Sequence, residues 1–187
     1  RTMIFLPCTT SLVAYSIIFR SLFANDGLVN YVLVNLGILD KPYNFLTQPF
    51  AAKIVIILAL LWRWTGYNMV FFLSGLQNIE YSVYEAAKID GASAIQTFFK
   101  ITVPLLKPTI LLTAIMSTNG TLQLFDESIN LTDGGPANAS ISMSHYIYNL
   151  CFKYVPNFGY AAAMSFFILL LVAVLAFIQM RVGDKRD

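Results

Sequence analysis

Hydrophobic residues fall along this chain in long continuous runs, without the alternation of a half-buried strand or the heptads of a coiled coil. Four runs, residues 3–23, 50–76, 104–125 and 160–180, hold the ~20 apolar residues that a helix needs to cross ~30 Å of hydrocarbon. The last, YAAAMSFFILLLVAVLAFIQM, carries no charge at all. The run LVNYVLVNLGIL at 28–39 is too short to span and predicts an interfacial or re-entrant helix.

Between the second and third runs the chain turns polar, in YSVYEAAKIDGASAIQTFFKITVPLLKP at 81–108. Ser82 and Glu85 have capping-box spacing, and Ser93 and Gln96 repeat it, so two short helices are expected. Gly91 between them offers the left-handed conformation that ends a helix. Ile95, Phe98, Phe99 and Thr102 are expected to share one face of the second helix. Pro104 and Pro108 suit the first turns of the next span. Such a pair satisfies two uses. It could lie flat on the membrane, although the first helix (Glu85, Ala86, Ala87, Lys88, Asp90) lacks a large apolar face. Equally, its small side chains permit close approach by a cytosolic protein, with Glu85 and Asp90 meeting basic groups there.

Composition supports a membrane protein: 57% of the 187 residues are hydrophobic and 12% are charged, against roughly 25% charged in soluble domains. A net charge of +2 gives no reason to expect nucleic acid. One histidine (His145) and two unspaced cysteines (Cys8, Cys151) supply neither a metal cluster nor a redox pair, so no cofactor is expected and the thiols read as packing groups. With four spans, Arg1, Lys88, Lys100, Lys107, Arg181, Lys185 and Arg186 fall on one side, and Arg20, Lys41, Lys53 and Lys153 on the other. That excess places the 77–103 connection in the cytoplasm, and the loops 24–49 and 126–159 outside. In the latter loop Gly134-Gly135-Pro136 marks a turn. The chain opens on Arg1 without a signal-peptide pattern, so the natural start is expected to lie upstream.

The polar interruption carries a resemblance. Glu85-Ala86-Ala87, three residues, Gly91, nine residues, and Ile101-Thr102-Val103-Pro104 resemble the EAA loop of ABC importer permeases, E-A-A-x(3)-G-x(9)-I-x-L-P, with Val103 where leucine is usual. Glu80 stands where that family often has proline. Gly66-Tyr67-Asn68-Met69, Leu73-Ser74-Gly75-Leu76-Gln77, Gln123-Leu124-Phe125-Asp126, Thr132-Asp133-Gly134-Gly135-Pro136 and Gly159-Tyr160-Ala161-Ala162-Ala163 resemble the maltose-permease type of binding-protein-dependent sugar permease. The resemblance covers essentially the whole chain. It implies an all-α polytopic helix bundle of the type I importer fold, a single permease domain over residues 1–187 with four of six spans, in a prokaryotic cytoplasmic (inner) membrane.

The resemblance also implies a role and partners. Such a subunit makes no chemical bond; two permeases form the path through the lipid bilayer, two ABC ATPase subunits hydrolyse ATP, and an extracytoplasmic solute-binding protein delivers a sugar. The second permease is usually a homologue. Tyr84, Glu85, Ala86, Ala87, Asp90 and Gly91 then correspond to the ATPase-docking set, with Ile101 and Pro104 anchoring it to the span. Leu61, Thr65, Asn68, Ser117, Gly120, Thr121 and Leu124 correspond to stretches lining the sugar site; from the residues alone, ordinary inter-helix hydrogen bonding serves as well. Arg63 either lines the path or pairs with an acid on the second permease. Within the family, a permease for a glycerol phosphate or polyol is the alternative. An ATPase-independent channel or secondary transporter, or a membrane scaffold, fits the spans but gives no reason for the loop.

Overall fold

A computed structural model describes residues 10–183 of the chain. Helices account for all the regular structure among the described residues, as the hydrophobic runs require. In chain order the main ones are α1 (Leu12–Leu22), α2 (Leu28–Asn35), α3 (Pro49–Gln77), α4 (Tyr81–Ile89), α5 (Ala94–Leu105), α6 (Lys107–Leu122), α7 (Asp126–Thr132), α8 (Met143–Tyr148) and α9 (Phe158–Gly183), with a 3-10 turn at Pro136–Asn138 and a π turn at Asn149–Lys153.

Two helices match their runs closely. The second run becomes α3, 29 residues and about 43 Å long, and the fourth becomes α9, 26 residues and about 39 Å. Both are long and apolar enough to cross a membrane. The surface of α9 is oily on every side, with Phe166, Phe167, Val174 and Phe177 all exposed, so lipid or another protein must cover it. Of the first run, residues 3–9 lie outside the described residues, and the remainder forms α1, 11 residues long. The 28–39 segment forms α2, which is shorter than expected because Gly37 turns left-handed (φ 68°) just after it.

The third run differs most from the expectation of one helix over 104–125. It enters through α5, bends by 65° at Leu106, continues as α6 and stops at Leu122. Prolines account for the irregularity. Pro108 has no N–H for the carbonyl of residue 104, and its ring crowds that carbonyl, so the helix breaks there. Pro104 likewise offers no N–H to the Lys100 carbonyl, and the preceding turn widens: the Val103 N–H reaches back five residues to Phe98 O, making residues Phe98–Thr102 a π turn.

Beyond a three-residue turn, the segment expected to be a loop returns to the bundle. α7 packs against both α1 and α3. Its Leu131 completes a core with Tyr15 and Phe19 of α1 and Ile56 and Ala59 of α3, and Leu124 packs on the same cluster. α6 packs against α3 on one side and α9 on the other, where Gln179 Nε2 donates to Thr118 Oγ1 at 2.8 Å. α3 is thus held between α6 and the α1–α7 pair.

Candidate functional site

The polar interruption folds as the paired helices α4 and α5. Its first helix does not start with the expected capping box. Glu80 occupies the cap position with extended backbone (φ −62°, ψ 136°), so Ser82 already lies inside the first turn, and its hydroxyl donates to Glu80 Oε2 at 3.2 Å. That φ is the one proline imposes, so glutamate here leaves the approach of the chain as a proline would set it. The exit is a full Schellman motif: the Gly91 N–H bonds Lys88 O at 3.2 Å, the Ala92 N–H bonds Ala87 O at 3.0 Å, and Gly91 has φ 73°. The second capping box is present as expected, Ser93 Oγ accepting from the Gln96 N–H at 3.3 Å while Gln96 Oε1 accepts from the Ser93 N–H at 2.9 Å.

The pair has two faces. Ala87 is buried, and Tyr84 Oη lies 3.3 Å from Thr102 Oγ1, tying α4 to α5. Glu85, Ala86, Asp90 and Gly91 are exposed on the other face, while Ile101 is half-buried and Pro104 exposed. Two apolar residues not anticipated from the sequence join that face: Tyr81 is 75% exposed and Ile89 85%. Their four-residue spacing from Glu85 puts all three on one stripe. On α5 the π turn changes the expected phase: Ile95, Phe98 and Phe99 are exposed, whereas Thr102 turns inward.

A second polar region lies where α3 meets α6. Leu61, Thr65 and Asn68 share one stripe of α3, being four and seven residues apart. Asn68 Nδ2 donates to Ser117 Oγ at 3.4 Å, and Asn68 Oδ1 is buried without a partner. Leu61, Thr65 and Thr121 are exposed, the two hydroxyls donating to their own helices at Leu61 O and Ser117 O. Gly120 faces the Trp64 indole so closely that an added Cβ would lie 2.4 Å from Cζ2. Leu124 faces the core instead.

Arg63 occupies the opposite side of α3, roughly 200° around the helix from Leu61. Its Nη1 donates to Glu127 Oε1 of α7 at 2.9 Å, and Tyr15 Oη of α1 donates to the same oxygen at 2.5 Å. The guanidinium also lies over the Tyr15 ring, 5.8 Å from its centroid. Its acid therefore comes from its own chain. A cation inside an apolar run calls for a counter-ion; the sequence did not reveal which one, because Glu127 lay in an apparent loop.

The turn after α7 forms a third cluster. Asp133, Gly134 and Gly135 all have positive φ (48°, 85° and 68°). Ser128 Oγ donates to Ser140 O at 2.8 Å, so His145 Nδ1, also 2.8 Å from that hydroxyl, must be the donor between them. The fully buried His145 leaves Nε2 without a hydrogen bond, 3.9 Å from Asp133 Oδ1, and Lys153 Nζ holds Asp133 at 3.0 Å. Burial lowers the imidazole pKa, opposed by Asp133 and aided by Lys153.

The model of the family described as binding-protein-dependent transport system inner membrane component matches residues 1–186. The chain belongs to this family of ABC importer permeases. The lactose transport system permease protein of Rhizobium radiobacter is 57% identical to this permease over 188 residues, covering 100% of the chain and 63% of that protein. The arabinooligosaccharides transport system permease protein of Bacillus subtilis is 33% identical over 188 residues, covering 99% and 59%. The permease thus spans about three-fifths of the length of these relatives. Its fold matches the crystal structure of a bacterial ABC transporter importing the acidic polysaccharide alginate, at a TM-score of 0.88 and 24% identity, over 100% of the permease and 65% of that chain. An alginate ABC transporter in complex with a pentasaccharide-bound periplasmic protein matches at 0.78 and 26% identity, over 98% and 62%.

Proposed function

We propose that the chain is the transmembrane permease of an ATP-driven importer that moves a sugar inward. α4 and α5 are its coupling loop, seated on a cytosolic ATPase. The observation that carries this reading is the two-faced helix pair: it bears the EAA spacing, closes its inner face through Ala87 and Tyr84, and leaves Tyr81, Glu85, Ile89 and Gly91 uncovered. The sugar assignment is supported by relatives whose names specify lactose and arabinooligosaccharides. A second permease, two ATPases and an extracytoplasmic binding protein complete the assembly, with α3 and α9 crossing the membrane and the bent pair α5–α6 entering it.

The physical sequence of events is a rigid-body one. ATP closes the ATPase dimer and draws the coupling helices together. Tyr84 and Ala87 make α4 move with α5, and the bent junction at Leu106 carries that motion into α6. The polar groups at the α3–α6 contact shift with it. Two states biased by different contacts suffice for alternating access. In this scheme Thr65, Asn68, Ser117 and Thr121 offer hydroxyl and amide groups to a sugar, with Leu61 apolar beside them; Gly120 and Leu124 shape the site by packing, not by contact.

Glu85→Lys in the full-length permease should lower binding-protein-stimulated uptake at least about tenfold, because one charge-assisted contact has become a repulsion. Uptake at the wild-type rate, with the ATPase still bound, would contradict the docking assignment. Asn68→Ala and Thr121→Ala should each weaken solute affinity; unchanged affinity in both would remove those residues from the path.

A further inference from the structure

The Arg63–Glu127–Tyr15 cluster lies away from the α3–α6 contact, yet it is placed to govern it. Arg63 is the fifteenth residue of the 29-residue α3, about 21 Å from either end. The Glu127 side chain is 3% exposed. A carboxylate buried at that depth is costly, and is retained where it pairs and where its geometry is used. Three elements meet on its single oxygen Oε1: α3 through Arg63, α1 through Tyr15, and α7 through Glu127 itself. Apolar packing of Leu131 already holds α7 to the core. The ion pair adds direction, because charge-assisted hydrogen bonds tolerate far less sliding or rotation than packed methyl groups.

What α7 fixes is the end of α6. Only residues 123–125 separate the two helices, so Glu127 lies six residues beyond Thr121 and three beyond Leu124. Leu124 packs on the cluster that includes Tyr15. Holding α7 at Arg63 thereby sets the register of Ser117 and Thr121 against Asn68 on the far side of α3. We propose that Arg63, Glu127 and Tyr15 are positioning residues for solute affinity: they touch no solute, but lock the two polar helix faces at the separation that binds it. This rests on the α3–α6 contact being the solute path.

The test uses the full-length permease assembled with its partner permease, ATPases and binding protein in proteoliposomes, and radiolabelled lactose as the probe. Glu127→Gln keeps an acceptor for Tyr15 but removes the charge, and Arg63→Met/Glu127→Leu replaces the pair by apolar groups that the core accommodates. The half-saturating lactose concentration is read on the inserted fraction, so it does not depend on how much protein reaches the membrane. Positioning predicts a rise of about tenfold in both variants, with maximal uptake per inserted molecule within about twofold and the membrane level restored in the double variant. A double variant that recovers both membrane level and half-saturation would make the pair merely structural and overturn the inference, as would an unchanged value in Glu127→Gln. Absence of uptake by the wild-type assembly of every sugar in a panel of mono- and oligosaccharides, lactose and arabinooligosaccharides included, would overturn the functional reading together with the inference, which separates that failure from the others.

Discussion

At the scale of residues, two glycines carry opposite constraints. Gly91 needs its backbone conformation and not its small size: φ is 73°, and no atom lies within 4 Å of where a Cβ would stand. Gly91→Ala should therefore cost about 1–2 kcal/mol of helix-end stability, with Gly91→Asn milder because asparagine tolerates the left-handed region. Proline, confined to φ near −65°, should abolish the turn; coupled ATPase activity across the three variants gives the ranking. Gly120 needs its size. Gly120→Ala drives a methyl into Trp64, and should destabilise by about 1–3 kcal/mol, with relief when Trp64→Phe is added to the same chain. Denaturation in detergent micelles reads both. His145 adds a pH dependence. Its imidazole pKa is depressed in the fold, so the unfolded chain binds the proton more readily, and stability present at neutral pH should be lost as pH falls below about 6.5. His145→Asn should flatten that fall in a thermal unfolding series.

At the scale of elements, the paired helices were legible because each signal is local. Gly91 as terminator and Ser93–Gln96 as capping box are decided by residues three or four apart. The Ser82 cap was misplaced because a helix can start on any extended residue, and Glu80 supplied one two residues earlier. The phase of α5 was not legible, since it depends on a π turn induced by a proline downstream. Pro104→Ala restores the missing N–H and favours an ordinary turn. That rotates the preceding residues by roughly 100°, turns Thr102 away from Tyr84, and should weaken coupling while leaving solute affinity intact. ATPase stimulation and half-saturating solute, measured together, separate the two effects.

At the scale of the whole molecule, runs of twenty apolar residues announced α3 and α9, because no soluble packing explains them. Neither the bend at Leu106 nor the return of α7 to the core was announced. A seven-residue segment holding Asp126 and Glu127 reads as a loop until Arg63 and Tyr15, distant in sequence, supply its partners. The candidate path suffered similarly: Gly120 and Leu124 share the sequence neighbourhood of Ser117 and Thr121, but only tertiary packing shows that they face Trp64 and the core. The seating of an ATPase on the α4–α5 pair rests on the EAA spacing and on the uncovered face of Tyr81, Glu85 and Ile89. Affinity purification of the full-length permease from membranes, comparing wild type with Glu85→Lys, tests it most directly. A nucleotide-binding subunit should be retained in about stoichiometric amount by wild type and lost from the variant, with both proteins inserted equally. Equal retention by both, or none by the wild type, would contradict it.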